Sequence, residues 1–178
     1  MTKSETCAAI EAILFAAGTS VEAERIAAAL ELDTAAVNDA ANELISLYEK
    51  EGRGVRIIRL NKSYQMCSDK QYGAVVRKVM DMKKNTPLSG AAMEVLAVIA
   101  YNQPVTKGFV EQIRGVDCSG VIGSLCVKGL IEEKGRLELP GRPLLYGTTE
   151  HFLRCFGIEN IEGLPPIEQK KNDETEEE

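Results

Sequence analysis

A mainly α fold with small β-hairpins, α+β in class and built twice in tandem, is what this sequence predicts. Three observations carry it. Leu88–Thr149 contains three short helical patterns followed by two strand-like runs. The same order, three helices and a hairpin, occupies Glu5–Ser68 at an offset in the mid-80s of residues. Ile10-Glu11-Ala12-Ile13 is echoed by Met93-Glu94-Val95-Leu96, a slight likeness, so the repeat is one of architecture. Three helices closed by a hairpin is the winged-helix plan, a helix-turn-helix with a wing. The prediction is therefore two tandem winged-helix domains, 1–85 and 86–165, then a tail over 166–178.

The first helix is predicted over Glu5–Ala17, with Ser4 as N-cap and Gly18 as stop. A Ser oxygen satisfies free amides at a helix start, and Gly takes the left-handed conformation at its end. Its apolar residues Cys7, Ala8, Ile10, Ile13, Leu14 and Phe15 do not fit one stripe, although a surface helix usually buries only one. Either two faces are covered within the fold, or one meets another subunit. The second reading makes Ile10, Ile13, Leu14 and Phe15 a dimer interface. A second helix follows over Ser20–Leu30, capped by Ser20, with Glu22 and Glu24 where the helix dipole favours acids. The third, Thr34–Lys50, turns Val37, Leu44, Ile45 and Tyr48 to the core and ends at Gly52 and Gly54. Val55–Leu60 and Tyr64–Ser68 then form a hairpin around Asn61-Lys62-Ser63. Val55 and Ile57 point inward, joined by Leu60 if a bulge falls at Ile58. Asp69–Lys84 reads as a joining helix that packs Tyr72, Val75, Val76 and Val79 on the first domain. The boundary falls at Asn85-Thr86-Pro87, because a residue before proline is pushed out of helical geometry.

In the second half the helices are Ser89–Asn102 (cap Ser89), Lys107–Arg114 (cap Thr106, stop Gly115) and Ser119–Lys128, ended by Gly129. Leu130–Lys134 and Leu144–Thr148 are the strands of its wing, and Glu150–Phe156 adds a last short helix. Between Ala91 and Tyr101 only Glu94 is charged. One stripe (Ala92, Val95, Leu96, Ile99) packs on its own domain; the other (Met93, Ala97, Ala100, Tyr101) needs a cover. That cover is the wing and terminal helix, or a partner helix whose apolar face fills the groove. Tyr101 and Gln103 either satisfy the turn before Pro104 or touch that partner. Pro140-Gly141 fits the middle of a type II turn. Arg142 then projects from the wing tip, to pair with Glu132, Glu133 or Glu138 or to reach a partner. Met93, Ala97, Tyr101, Gln103 and Arg142 are thus the candidate partner-binding residues. Gly120 and Gly123 each cost about 1 kcal/mol relative to Ala inside a helix, which suggests close backbone approach or a tolerant surface.

Composition narrows the function. The 178 residues are 44% hydrophobic and 27% charged, globular values, with 5% aromatics and no Trp, so the core is aliphatic. No apolar run approaches the roughly 18 residues of a membrane helix, and Glu5 and Glu11 argue against a signal peptide. Cys7, Cys67, Cys118, Cys126 and Cys155 are odd in number and form no CxxC, so reduced thiols are expected and a zinc site is not. The tail Glu168–Glu178 holds six acids and two bases, hence −4 of the net −6, and is expected to be a solvated, disordered end. There is no GxxxxGK[ST] phosphate loop. The single histidine, His151, stands outside any nucleophile motif. No catalysis and no cofactor are expected.

A winged helix raises DNA binding, in which the third helix enters the major groove. The first domain's third helix offers Asp39, Glu43, Glu49 and Glu51 against Lys50; the second domain's offers only Lys128. Carboxylates there oppose a phosphate lattice, which counts against a winged-helix transcriptional regulator, the main rival reading. Arg53, Arg56, Arg59, Lys62, Lys134, Arg136 and Arg142 on the wings leave room for weak, non-specific contact at most.

The runs AAMEVLAVIAYNQPVT, IRGV, KGLI and PGRPLLYGTT, in this order and spacing, resemble the segregation and condensation protein B family. These are the winged-helix accessory subunits of bacterial SMC–kleisin (condensin-type) complexes. The resemblance is dense over Leu88–Phe156 and looser from Thr6 to Ser68. It implies a non-enzymatic subunit that dimerises through its first winged helix. It also implies binding to the kleisin, segregation and condensation protein A, and through it to the SMC ATPase. Chromosome condensation and segregation in the cytoplasm, at the nucleoid, is the implied role. The candidate partner-binding residues are then kleisin-binding residues.

Overall fold

The computed structural model describes residues 1–80 and 87–166. Asp81–Lys84 of the joining helix, the boundary at Asn85-Thr86 and the acidic tail lie outside the described residues. In the first domain α1 (Lys3–Ala17), β1 (Val21–Glu22), α2 (Ala23–Leu30) and α3 (Thr34–Glu51) precede a hairpin of β2 (Val55–Leu60) and β3 (Ser63–Ser68). The second repeats this with α5 (Gly90–Asn102), β4 (Val105–Thr106), α6 (Lys107–Arg114), α7 (Ser119–Val127), β5 (Ile131–Arg136) and β6 (Leu144–Thr148). Each three-stranded sheet has the same order, β1-β3-β2 and β4-β6-β5. The winged-helix plan is therefore present twice. A single 3-10 turn (Lys70–Tyr72) and α4 (Gly73–Val79) lie between the two, and α8 (Glu150–Phe156) follows the second.

Local chemistry explains where the ends differ from the sequence expectation. Thr2, not Ser4, caps α1: its hydroxyl accepts from the Glu5 amide at 3.3 Å while Glu5 Oε2 accepts from the Thr2 amide at 2.7 Å. This reciprocal pair is a capping box, which satisfies two orphan donors at once. Ser20 does not cap α2. Residues before Ala23 are extended, and Val21–Glu22 pairs with Ser63–Tyr64 of β3. Strands of two residues, such as β1 and β4, carry too little alternation to be read from sequence. Asp33 caps α3 through Ala36 (2.6 Å), Thr106 caps α6 through Phe109 (3.2 Å), and Thr149 caps α8 through Phe152 (3.1 Å).

Pairing of β2 with β3 is continuous from Val55–Ser68 to Leu60–Ser63, so the expected bulge at Ile58 is absent. Side chains therefore alternate strictly. Ile57 enters the first core with Ile10, Leu14, Val37 and Tyr64. Leu60, on the opposite face, is 1% exposed and belongs to the second core with Leu96, Ile99, Leu125 and Phe152. Val55, expected inside, is exposed at the strand end. The first hairpin is thus sandwiched between the two domains. Polar bonds flank it: the Asn61 amide donates to Glu159 O (2.7 Å), Arg154 Nη1 donates to Gln65 Oε1 (2.9 Å), and the Ser20 hydroxyl donates to Glu150.

The joining segment corrects a second expectation. Tyr72 lies beside Gly54 of the first domain, but Val75, Val76 and Val79 do not pack there; Val75 is 62% and Val79 75% exposed. Asp69 accepts from the Gln71 amide at 3.0 Å and starts a 3-10 turn there. The helical phase on which their spacing was read therefore begins only at Gly73.

Candidate functional site

Helix α5 is the core's axis and also a surface. Val95, Leu96 and Ile99 are buried, and so is Ala100, which the sequence pattern placed on the outer stripe. What remains outside is Met93 (44% exposed), Ala97 and Tyr101 (39%). At spacings of four they form one row along two turns, a strip of roughly 12 Å at 1.5 Å per residue. Glu94 beside it is held in an ion pair with Arg114 of α6. The row itself is therefore apolar along its length, with Glu94 neutralised and Glu162 near its Tyr101 end.

Its C-terminal end has an intramolecular neighbour. The Tyr101 hydroxyl donates to the Pro165 carbonyl at 2.6 Å. Between this end of α5 and Ile161–Pro166 lies an open groove of about 360 Å³, lined by Ala100, Tyr101, Glu162, Leu164 and Pro165. Of the two covers the sequence left open, the wing with the terminal helix or a partner helix, neither is what meets this end of the row; the segment after α8 does. Nothing in the sequence announces it, because Leu164-Pro165-Pro166 reads only as a chain end.

Gln103 and Arg142 have other occupations. Gln103 Oε1 accepts from both the Thr148 amide (2.5 Å) and its hydroxyl (3.0 Å), tying the turn after α5 to β6. A Cβ at Gly147 would come within 2.8 Å of that oxygen, so a larger residue there would push the Gln103 side chain off its two bonds. Gln103 is thus committed to the turn. Arg142 sits at the wing tip with φ +39, donates to Glu138 Oε1 at 2.8 Å, and remains well exposed. An exposed pair of this kind is worth about 0–1 kcal/mol, so it does not prevent Arg142 from meeting a partner. Gly120 and Gly123 face open space, with no atom within 4 Å of an added Cβ. Within this chain the tolerant-surface reading applies.

The candidate dimer helix is divided in the same way. Ile10 and Leu14 are fully buried in their own core, so they cannot present a free face, and Ile13 is half-buried. Phe15 is 77% exposed and shares a row with exposed Ala8 and Ala12. The exposed apolar face of α1 is therefore Ala8–Ala12–Phe15, a corrected version of the predicted set.

On the faces a DNA reader would use, acids and internal pairs dominate. Asp39, Glu43, Glu49 and Glu51 of α3 are exposed. Of the wing cations, Arg53 pairs with Glu51 (2.6 Å) and lies over the Tyr48 ring, while Lys134 pairs with Glu132 (2.5 Å). The tip of the first wing is engaged by Glu159 of the second domain. His151 and Cys155 are neighbours, with Nε2 and Sγ 3.5 Å apart. Arg154 Nη2 approaches Nδ1 at 2.7 Å, which makes Nδ1 the acceptor of a neutral imidazole. Burial pushes the Cys155 thiol up and the His151 pKa down, the reverse of an activated thiolate–imidazolium pair. Among the described residues no group of three or more His, Cys, Asp or Glu is arranged to hold a metal. Likewise no helix there is long and apolar enough to cross a membrane.

Comparison with known proteins places this architecture. The family described as segregation and condensation complex subunit ScpB matches residues 8–167, nearly the whole described chain. This chain belongs to that family. A segregation and condensation protein B from Caldanaerobacter subterraneus is 47% identical over 159 residues, covering 89% of this chain and 95% of the relative. ScpB of Mycobacterium tuberculosis, a crystal structure, is 30% identical with a TM-score of 0.44, covering 89% of this chain and 98% of that one. A dimer of an ScpB N-terminal domain complexed with an ScpA peptide is 26% identical with a TM-score of 0.42. It covers 44% of this chain and 99% of that one. The family assignment rests on the sequence matches, which run through both winged helices and the first hairpin. For an ScpB-family chain, the residues that sequence reading missed are Leu60, Gln65, Arg154 and Pro165. Each acts across a junction that no local pattern encodes.

Proposed function

We propose that this chain is a non-enzymatic, homodimeric subunit of a bacterial SMC–kleisin complex. It binds the kleisin, segregation and condensation protein A, through its second winged helix and so supports chromosome condensation and segregation at the nucleoid. The observation that carries the reading is the apolar row Met93–Ala97–Tyr101 on α5, in a chain of the ScpB family. An exposed apolar row on an otherwise packed helix fits the apolar face of a partner helix. Burial of such surface yields roughly 25 cal/mol per Å². Exposed Arg142 on the wing adds a charge at the rim. Dimerisation is assigned to the Ala8–Ala12–Phe15 face of α1, which leaves the second domain free for the kleisin. DNA contact is weak and non-specific at most, and SMC supplies the ATPase. Capture from native lysate on the immobilised chain tests this: kleisin and SMC should be retained, and Met93→Glu should release both.

A further inference from the structure

We infer that Leu164–Pro166 is a displaceable strap that holds the end of the partner-binding row closed, with the Tyr101–Pro165 hydrogen bond as its latch. The inference rests on the reading of α5 as the kleisin face and adds a regulatory contact to it.

Only the Tyr101 end of the row Met93–Ala97–Tyr101 meets the strap. A helix laid along it from Met93 meets Pro165 when it reaches Tyr101, two turns further on. Strap and partner therefore compete for the same end of α5. The strap is weakly seated. Ile161 and Leu164 pack partly against the second core and anchor its root. Pro165 and Pro166 are exposed, and as prolines they have no amide to donate. Pro165 is tied to α5 by one bond, from the Tyr101 hydroxyl at 2.6 Å. Beside it runs an open groove of about 360 Å³, so the strap covers this end of α5 along one edge only. A contact held by one hydrogen bond at the edge of an open groove is easily exchanged for a better-packed one. The occupant that replaces it is the apolar face of the kleisin helix, which continues the row into the groove.

Closure lowers the fraction of competent molecules, and apparent affinity falls in proportion. Tyr101→Phe keeps the ring and removes the latch. In the full chain it should tighten kleisin binding by about twofold to tenfold, the range a single hydrogen bond covers. Ending the chain after Leu164 should do the same, while ending it after Pro166 should leave affinity unchanged. Hydrogen exchange gives a second readout. On adding a kleisin fragment the amide of Leu164, the only one in the strap, should lose protection while those of α5 gain it. If Tyr101→Phe and the Leu164 truncation bind no tighter than the parent, and the strap stays protected in the complex, the strap is structural and the inference fails. Met93→Glu separates the two claims. If it abolishes binding in that case, only the strap is refuted; if it has no effect, the α5 reading falls as well.

Discussion

Arg154 and Gln65 are 89 residues apart in sequence, yet Arg154 Nη1 donates to Gln65 Oε1 at 2.9 Å across the junction of the two winged helices. Gln65 is buried, and the same face of its hairpin carries Leu60 into the second domain's core. The two repeats therefore form one body through the first wing rather than through the joining segment, whose apolar residues are exposed.

This packing sets the first expectation. Truncating a buried Leu costs about 2–5 kcal/mol, and a carboxylate at that place costs more. Leu60→Asp should undock the domains while each core keeps its own helices. Small-angle scattering should show a larger radius of gyration with circular dichroism nearly unchanged. An unchanged radius would mean that the wing does not hold the domains together.

Dimerisation supplies a pair of variants with opposite outcomes. Phe15→Glu places a charge on the exposed face of α1 and should give a folded monomer. Ile10→Glu places it in the first core and should unfold that domain. Sedimentation at micromolar concentration, with thermal unfolding alongside, separates them. A parent chain that sediments as a monomer would remove α1 as the interface.

The contrast between Phe15 and Ile10 also shows how far the sequence could be read. Helix spans, caps such as Ser89 and Thr106, and the twofold winged-helix plan follow from local pattern. So did the existence of surplus apolar surface on α1 and α5. Which apolar residue faces outward did not, because both helices are apolar nearly all round and periodicity gives no phase. Leu60 could join Ile57 in one core only through a bulge, because a hairpin covered on both faces by different domains looks, residue by residue, like one with a bulge. The strap over Tyr101 had no signal at all, since prolines at a chain end read as punctuation.

The half-buried His151 gives a pH dependence. Burial, and then the Arg154 charge, lowers its pKa below the ordinary 6.5. The unfolded chain therefore binds a proton at higher pH than the folded one. The contribution is fully present above about 6.5 and is lost as pH falls from there through the lowered folded value. His151→Gln should flatten this part of the profile. Urea midpoints at about pH 7.5 and 5.5 should differ less in the variant than in the parent; equal differences would contradict the assignment.

DNA binding should be weak, indifferent to sequence and steeply reduced by salt, because α3 presents acids and several wing cations are paired internally. Titration of two unrelated duplexes at two salt concentrations checks it. A preference that survives physiological salt would favour a regulator.

The central claim is that the outer row of α5 binds the kleisin, and calorimetry of a kleisin fragment against Met93→Glu and Phe15→Glu tests it most directly. The account predicts that Met93→Glu, still dimeric, loses at least about tenfold in affinity, or 1.4 kcal/mol, while Phe15→Glu, now monomeric, still binds. Parent-like binding by Met93→Glu together with loss of binding by Phe15→Glu would place the site on the first domain and contradict the account.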